Sequence, residues 1–151
     1  MGTAKRHEFA VGLDESGVLF AEGQSRLAPA PEWTPEHLLL AALARCSLAS
    51  LVYHAKRADR MVAGRITVSA AVTRRETDGR FAFVEAHVAA DLGITPAPEV
   101  DALIELLKKA ERDCFVGASL TASPTYAWRI NEGDVETVSP AELLAAQHPD
   151  P

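Results

Sequence analysis

The stretch Thr34-Pro35-Glu36-His37-Leu38-Leu39-Leu40-Ala41-Ala42-Leu43-Ala44-Arg45-Cys46-Ser47-Leu48-Ala49-Ser50-Leu51-Val52 decides the fold. It reads as the body of a long helix running from Thr34 to Asp59. Thr34 suits the N-cap, Pro35 the first helical position, and Glu36 places a carboxylate in the positively polarised first turn. Trp33 and Leu38 are spaced as a hydrophobic staple across that start. From Leu38 to Val52 the one strongly polar side chain is Arg45. A helix apolar nearly all round lies inside a protein or against a partner. Arg45 and the His54 to Arg57 segment interrupt the run before the roughly 20 residues that a membrane span needs. The expectation is therefore a long buried central helix with Cys46 at mid-span.

Outward from this helix the pattern changes period. On the N-terminal side, His7 to Leu13 alternates through Phe9, Val11 and Leu13, Asp14 to Gly17 signals a turn, and Val18 to Ala21 returns as a second strand. A loop carrying Arg26 then leads into the helix. On the C-terminal side, Arg65 to Glu76 alternates with Ile66, Val68, Ala70 and Val72 on one face. Asp78-Gly79 predicts a hairpin turn to a partner strand over Arg80 to Asp91. Thr95-Pro96-Ala97-Pro98 opens a second helix whose apolar face is Val100, Leu103, Ile104 and Leu107. Helical steps from Leu103 through Leu107 and Ala110 bring Cys114 to the inner side. Thr121 to Ile130 reads as the last strand, with Tyr126, Trp128 and Ile130 alternating. The order strand-strand-helix-strand-strand-helix-strand predicts an α+β fold with helices on a mainly antiparallel sheet. A single domain over residues 1–131 is expected, followed by an acidic tail, 132–151, with room for a short helix at Pro140 to Ala146.

Composition narrows the function classes. The 151 residues are 48% hydrophobic and 24% charged, which is ordinary for a globular chain. The net charge of −6 disfavours nucleic acid and anionic membranes as partners. Met1 to Glu8 is polar and no apolar run follows it, so no export signal is expected and the cytoplasm is the expected location. Two cysteines, Cys46 and Cys114, are too few for a disulfide framework, and neither they nor the five histidines have metal-ligand spacing. In a reducing compartment a bridge between them would be transient and catalytic.

The segment Thr34-Pro35-Glu36-His37-Leu38, followed by Ala41-Ala42-Leu43-Ala44-Arg45-Cys46-Ser47, resembles the OsmC/Ohr family of thiol peroxidases. In that family a P-E-x-L segment precedes a small-residue helix whose reactive cysteine lies ten positions beyond the glutamate, and here 46 − 36 = 10. The run Ala110 to Leu120 around Cys114 resembles the family's second cysteine segment. The OsmC branch carries an arginine ten positions before the glutamate, and 36 − 26 = 10 points to Arg26. The resemblance spans roughly residues 6 to 131 and leaves out the tail.

It implies an OsmC-like intertwined homodimer that reduces organic hydroperoxides to alcohols in an oxidative stress response. Cys46 would be the peroxidatic thiol and Cys114 the resolving one. Arg26 would stabilise the thiolate and hold the peroxide oxygens, and Glu36 would orient Arg26. An external dithiol would reduce the resulting Cys46–Cys114 disulfide, and neither metal nor haem nor any other cofactor is implied. The apolar setting given by Leu39, Leu43, Phe115 and Val116 suits bulky organic peroxides.

Physical chemistry adds two constraints. An apolar setting raises a thiol's pKa, so a cation must reach Cys46, and the neighbouring Arg45 leaves the helix about 100° away. Ten helical residues separate Glu36 from Cys46 by roughly 15 Å, so a glutamate serving the thiol must come from a second, antiparallel copy of the helix. Two other readings remain: a non-catalytic binding or redox-sensor protein on this fold, and a cysteine hydrolase. The hydrolase needs a histidine base, and His37 and His54 lie about nine and eight residues from Cys46, out of reach within one helix.

Overall fold

The computed structural model describes residues 5–21 and 23–137, so the helix expected at 140–146 lies outside the described residues. The chain forms two compact units that meet in sequence at His37. The first contains a short hairpin, β1 (Gly12–Leu13) and β2 (Leu19–Phe20). Its turn is held by the Asp14 carboxylate, which accepts from the Ser16 amide at 3.0 Å, the Ser16 hydroxyl at 2.6 Å and the Val18 amide at 3.0 Å. Leu27 folds back to bridge Leu19. The expected strand over His7 to Leu13 shortens to its last two residues. Strand geometry persists where the backbone finds a ladder partner, and Phe9 and Val11 stay 87% and 70% exposed.

The second unit is built on a four-stranded sheet with the order β3-β4-β5-β6. Strands β3 (Met61–Arg74) and β4 (Phe81–Thr95) form the long antiparallel hairpin that the alternation predicts, from Met61 opposite Thr95 to Arg74 opposite Phe81. The Asp78 carboxylate accepts from the Arg80 amide at 3.1 Å and pairs with Arg75 in the turn. A register shift between Ala71 and Val72 breaks the period-2 pattern, so Val72 is exposed where the alternation puts it inside.

Strand β5 (Thr125–Ile130) pairs with β4 in parallel, and β6 (Gly133–Val135) adds an antiparallel edge that sequence reading missed. The sheet is therefore mixed, two antiparallel pairs flanking one parallel pair. The last predicted strand starts four residues late because Pro124 has no amide to give to a ladder.

Three helices complete this unit. The first, α1 (Pro35–Arg57), matches the predicted span and includes Cys46. It is followed after β4 by α2 (Val100–Arg112) and the single-turn α3 (Phe115–Ala118), which carry the chain across to β5. Thr95 ends β4 instead of opening the helix, and Val100 stays exposed, so the packed stripe of α2 begins at Leu103 and continues through Leu106, Leu107 and Ala110. These residues pack with Leu51 and Ala55 of α1 against Ala90, Leu92 and Ile94 of β4 and Trp128 and Ile130 of β5.

The long helix itself departs from the expectation of burial all round. Leu43, Ser47, Leu51 and Ala55, four residues apart, form one buried face, with Cys46 beside it. Ala42, Arg45, Ala49, Val52 and Tyr53 stay exposed, because a single sheet covers one side of a helix. Helix α1 is long and apolar enough to cross a membrane in spite of Arg45. Its packing against the sheet is that of a core helix.

Candidate active site

Two elements deliver the two sulfurs to one place. Cys46 sits on α1 where the helix crosses β4, and it is 8% exposed. The second sulfur depends on a break in a helix. Asp113 ends α2 at φ −92° and ψ 4°, and Cys114 follows in an extended conformation at φ −74° and ψ 91°, capping α3. This kink turns Cys114 fully inward, where it joins Leu43, Cys46, Ala86 and Val88 in one apolar cluster. Both cysteines are free thiols.

Burial is the largest influence on Cys46 and pushes its thiol above the ordinary value. The Cys114 thiol acts in the same direction, while hydrogen bonds from the backbone amides of Val116 and Phe115 oppose it. The Ser47 hydroxyl lies 3.5 Å from Cys114 Sγ. Tyr126, on β5, packs against the same cluster, and burial raises its pKa above the ordinary value. In the sequence Tyr126 is one of the alternating residues of the last strand and Ser47 follows the cysteine, and neither position carries a chemical signal of its own. Stepping four residues forward from Leu43 or four back from Leu51 picks out Ser47 as an inward hydroxyl.

A groove of about 560 Å³ runs over the cluster from the exposed side of α1, lined by Cys46, Ala49, Tyr53, Phe115 and Val116 with Arg45 and His54. Its walls are mostly apolar. At one end His54 Nε2 meets Asp113 Oδ2 at 2.8 Å. Asp113 is held down to about 2, chiefly by Arg112, which donates to both of its oxygens at 2.7 and 2.9 Å, and then by His54. The carboxylate thereby fixes the orientation of the His54 ring.

The remaining two predicted residues belong to the first unit. Arg26 pairs with Asp14 and lies 5.6 Å from the centre of the Phe20 ring. Glu36 stands in the first turn of α1, and a hydrogen bond with the Thr34 side chain leads the influences that lower its pKa. Trp33, predicted to staple the helix start, lies tilted against the His37 ring at 6.2 Å. Among the described residues no group of three or more histidine, cysteine or acidic side chains is placed to hold a metal ion.

The model of the OsmC-like protein family matches residues 28–129, which takes in α1, the hairpin, both later helices and most of β5. This chain belongs to the OsmC-like family. Solved OsmC-like folds superpose on it over most of their length. An OsmC-like protein of unknown function from Vibrio cholerae shares 15% identity at a TM-score of 0.64, covering 84% of this chain and 99% of its own. The organic hydroperoxide resistance protein OhrB of Bacillus subtilis gives 16% identity and a TM-score of 0.52, covering 79% and 94%. One from Elizabethkingia anophelis gives 18% and 0.54, covering 83% and 98%. Among curated proteins none matches the chain. At these identities the OsmC-like neighbours establish the fold, including its mixed sheet and long helix.

Proposed function

We propose that the chain is a thiol-dependent peroxidase that reduces organic hydroperoxides to alcohols. The observation that carries this reading is the meeting of Cys46 and Cys114 in one buried apolar cluster beneath an apolar groove. The Cys46 thiolate attacks the outer peroxide oxygen, the O–O bond breaks, the alcohol leaves with a proton, and Cys46 becomes a sulfenic acid. Cys114 condenses with it to a disulfide and releases water, and an external dithiol restores both thiols by exchange. The groove's apolar walls favour alkyl and aryl peroxides over hydrogen peroxide.

Because burial raises the Cys46 thiol, a cation is required at the moment of attack. Arg26 fills that role in this reading, and Glu36 orients it. The functional unit is a homodimer, supported by the exposed apolar side of α1 and by the exposed Phe9, Val11 and Leu13 of the first unit.

Stopped-flow mixing of the reduced protein with cumene hydroperoxide and with hydrogen peroxide tests the proposal. Faster consumption of the organic peroxide is expected, with turnover abolished in Cys46→Ser. Cys114→Ser should consume about one equivalent and then hold oxidised Cys46. The burial that raises the Cys46 thiol favours a second reading, a non-catalytic binding or redox-sensor protein. That reading prevails if Cys46 reacts with alkyl peroxide no faster than a free thiol does.

A further inference from the structure

The peroxidase reading uses the two sulfurs but leaves unexplained two hydroxyls beside them, those of the buried Ser47 and the half-buried Tyr126. The cluster around Cys114 is otherwise hydrocarbon, contributed by Leu43 of α1, Ala86 and Val88 of β4, and Val116 of α3. Hydrocarbon neighbours offer an attacking sulfur no hydrogen bond, so nothing in them fixes its direction. Cys114 has no measurable exposure, so water offers it no hydrogen bond. Ser47, on the residue after Cys46, is itself 1% exposed and sits 3.5 Å from Cys114 Sγ. Tyr126 comes from the opposite side. A methyl group built on Gly117 would lie 3.3 Å from the Tyr126 hydroxyl and 3.5 Å from Cys114 Sγ, so both atoms flank the same small gap. The Tyr126 ring is fixed there by stacking on Trp128, at 5.5 Å and 6° between planes.

The geometry points to Ser47 and Tyr126 as positioning residues for the second half of the reaction: their hydroxyls aim the Cys114 sulfur at Cys46 and stabilise negative charge on it while the disulfide forms. This rests on the peroxidase reading. In the step concerned, an electron pair on Cys114 sulfur attacks the sulfenyl sulfur of Cys46. The S–S bond forms, the S–O bond breaks, and the departing hydroxide takes the thiol proton to leave as water. Cys114 sulfur is oxidised and the Cys46 sulfur is reduced, with no outside reagent. A hydrogen bond to a developing charge is worth more than one to a neutral group, which makes this step the one that loses most when a hydroxyl is removed.

The test is a single turnover with one equivalent of cumene hydroperoxide, in which a 1,3-dione traps the sulfenate at successive times and mass spectrometry counts trapped and disulfide-bonded chains. In Tyr126→Phe, which keeps the stacked ring, the ratio of the disulfide-forming rate to the peroxide-consuming rate is expected to fall about tenfold. Ser47→Ala should lower the same ratio, and Ser47→Thr, which returns a hydroxyl, should recover part of it. An unchanged ratio in Tyr126→Phe together with one in Ser47→Ala overturns the proposal, as does a Ser47→Thr ratio no better than that of Ser47→Ala. Failure of the peroxidase reading itself looks different: the unsubstituted chain then traps no sulfenate at any time.

Discussion

At the scale of single residues, the chain buries chemistry in two places, and only one of them was visible in the sequence. Cys46 could be read from helical spacing and Cys114 from helical steps along α2, although the kink after Asp113 is what turns Cys114 inward. Glu111 could not, because a glutamate near the end of a helix looks like any solvated residue. It is 8% exposed and accepts the Trp128 indole N–H at 2.7 Å and the Thr137 hydroxyl. Burial nevertheless raises its pKa above the ordinary value. Between the unfolded and the raised folded value, the native chain keeps a proton that the unfolded chain has lost. Stability therefore falls as pH rises through that window, and the loss persists at neutral pH. Glu111→Gln keeps an acceptor for Trp128 and cannot ionise. Urea unfolding at several pH values should show a flatter profile for this variant, with stability at pH 7 no lower than the parent's. The pKa of Cys46 supplies a second expectation. Arg26→Met should shift its alkylation to higher pH if Arg26 stabilises the thiolate. An unchanged profile would leave Arg26 as the partner of Asp14 alone.

The elements were legible wherever one period ran without interruption. Helix α1 and the β3–β4 hairpin follow from apolar spacing and from Asp78-Gly79. The misses are local breaks that no window average detects: the bulge at Ala71 and Val72, the kink at Asp113 and Cys114, and the short edge strand β6. That edge strand is reached by a tight turn in which Asn131 and Glu132 both take positive φ, 50° and 68°. Asparagine tolerates this conformation and here also ties β5 to β4, its side chain bonding the Ile94 amide at 2.9 Å and donating to the Ile94 carbonyl at 3.1 Å. Glutamate gains nothing to offset it, so Glu132→Gly should stabilise the chain by about 1 kcal/mol in thermal or denaturant unfolding. Gly64 shows the opposite case. It lies in β3 at φ 140°, and an added Cβ would sit 2.3 Å from the Asp91 carbonyl oxygen and 2.8 Å from Leu92 Cα. Both obstacles are backbone, so Gly64→Ala should cost about 2–4 kcal/mol and loosen amide protection along the β3–β4 ladder.

For the whole molecule, the apolar composition of α1 announced a surface to be covered, but nothing in its periodicity said which side the chain would leave open. The structure leaves open the side with Ala42, Ala49, Val52 and Tyr53, at the groove over Cys46. A charge there should cut a dimer apart. On the dimeric peroxidase reading proposed above, Ala49→Glu is expected to sediment as a monomer and to lose both turnover and the concentration dependence of its melting temperature. Mixing Cys46→Ser and Glu36→Ala chains, with demonstrated exchange, should restore one working site per heterodimer. The two sulfurs that meet in the core are 114 − 46 = 68 positions apart in sequence, and the whole β3–β4 hairpin lies between them. A covalent link across so long a span removes conformations chiefly from the unfolded chain, an entropic effect of about 4 kcal/mol. The oxidised chain should accordingly melt about 10 °C above the reduced one. A calorimeter could then read the redox state directly, and a proteolytic system would clear the reduced form faster than the oxidised one.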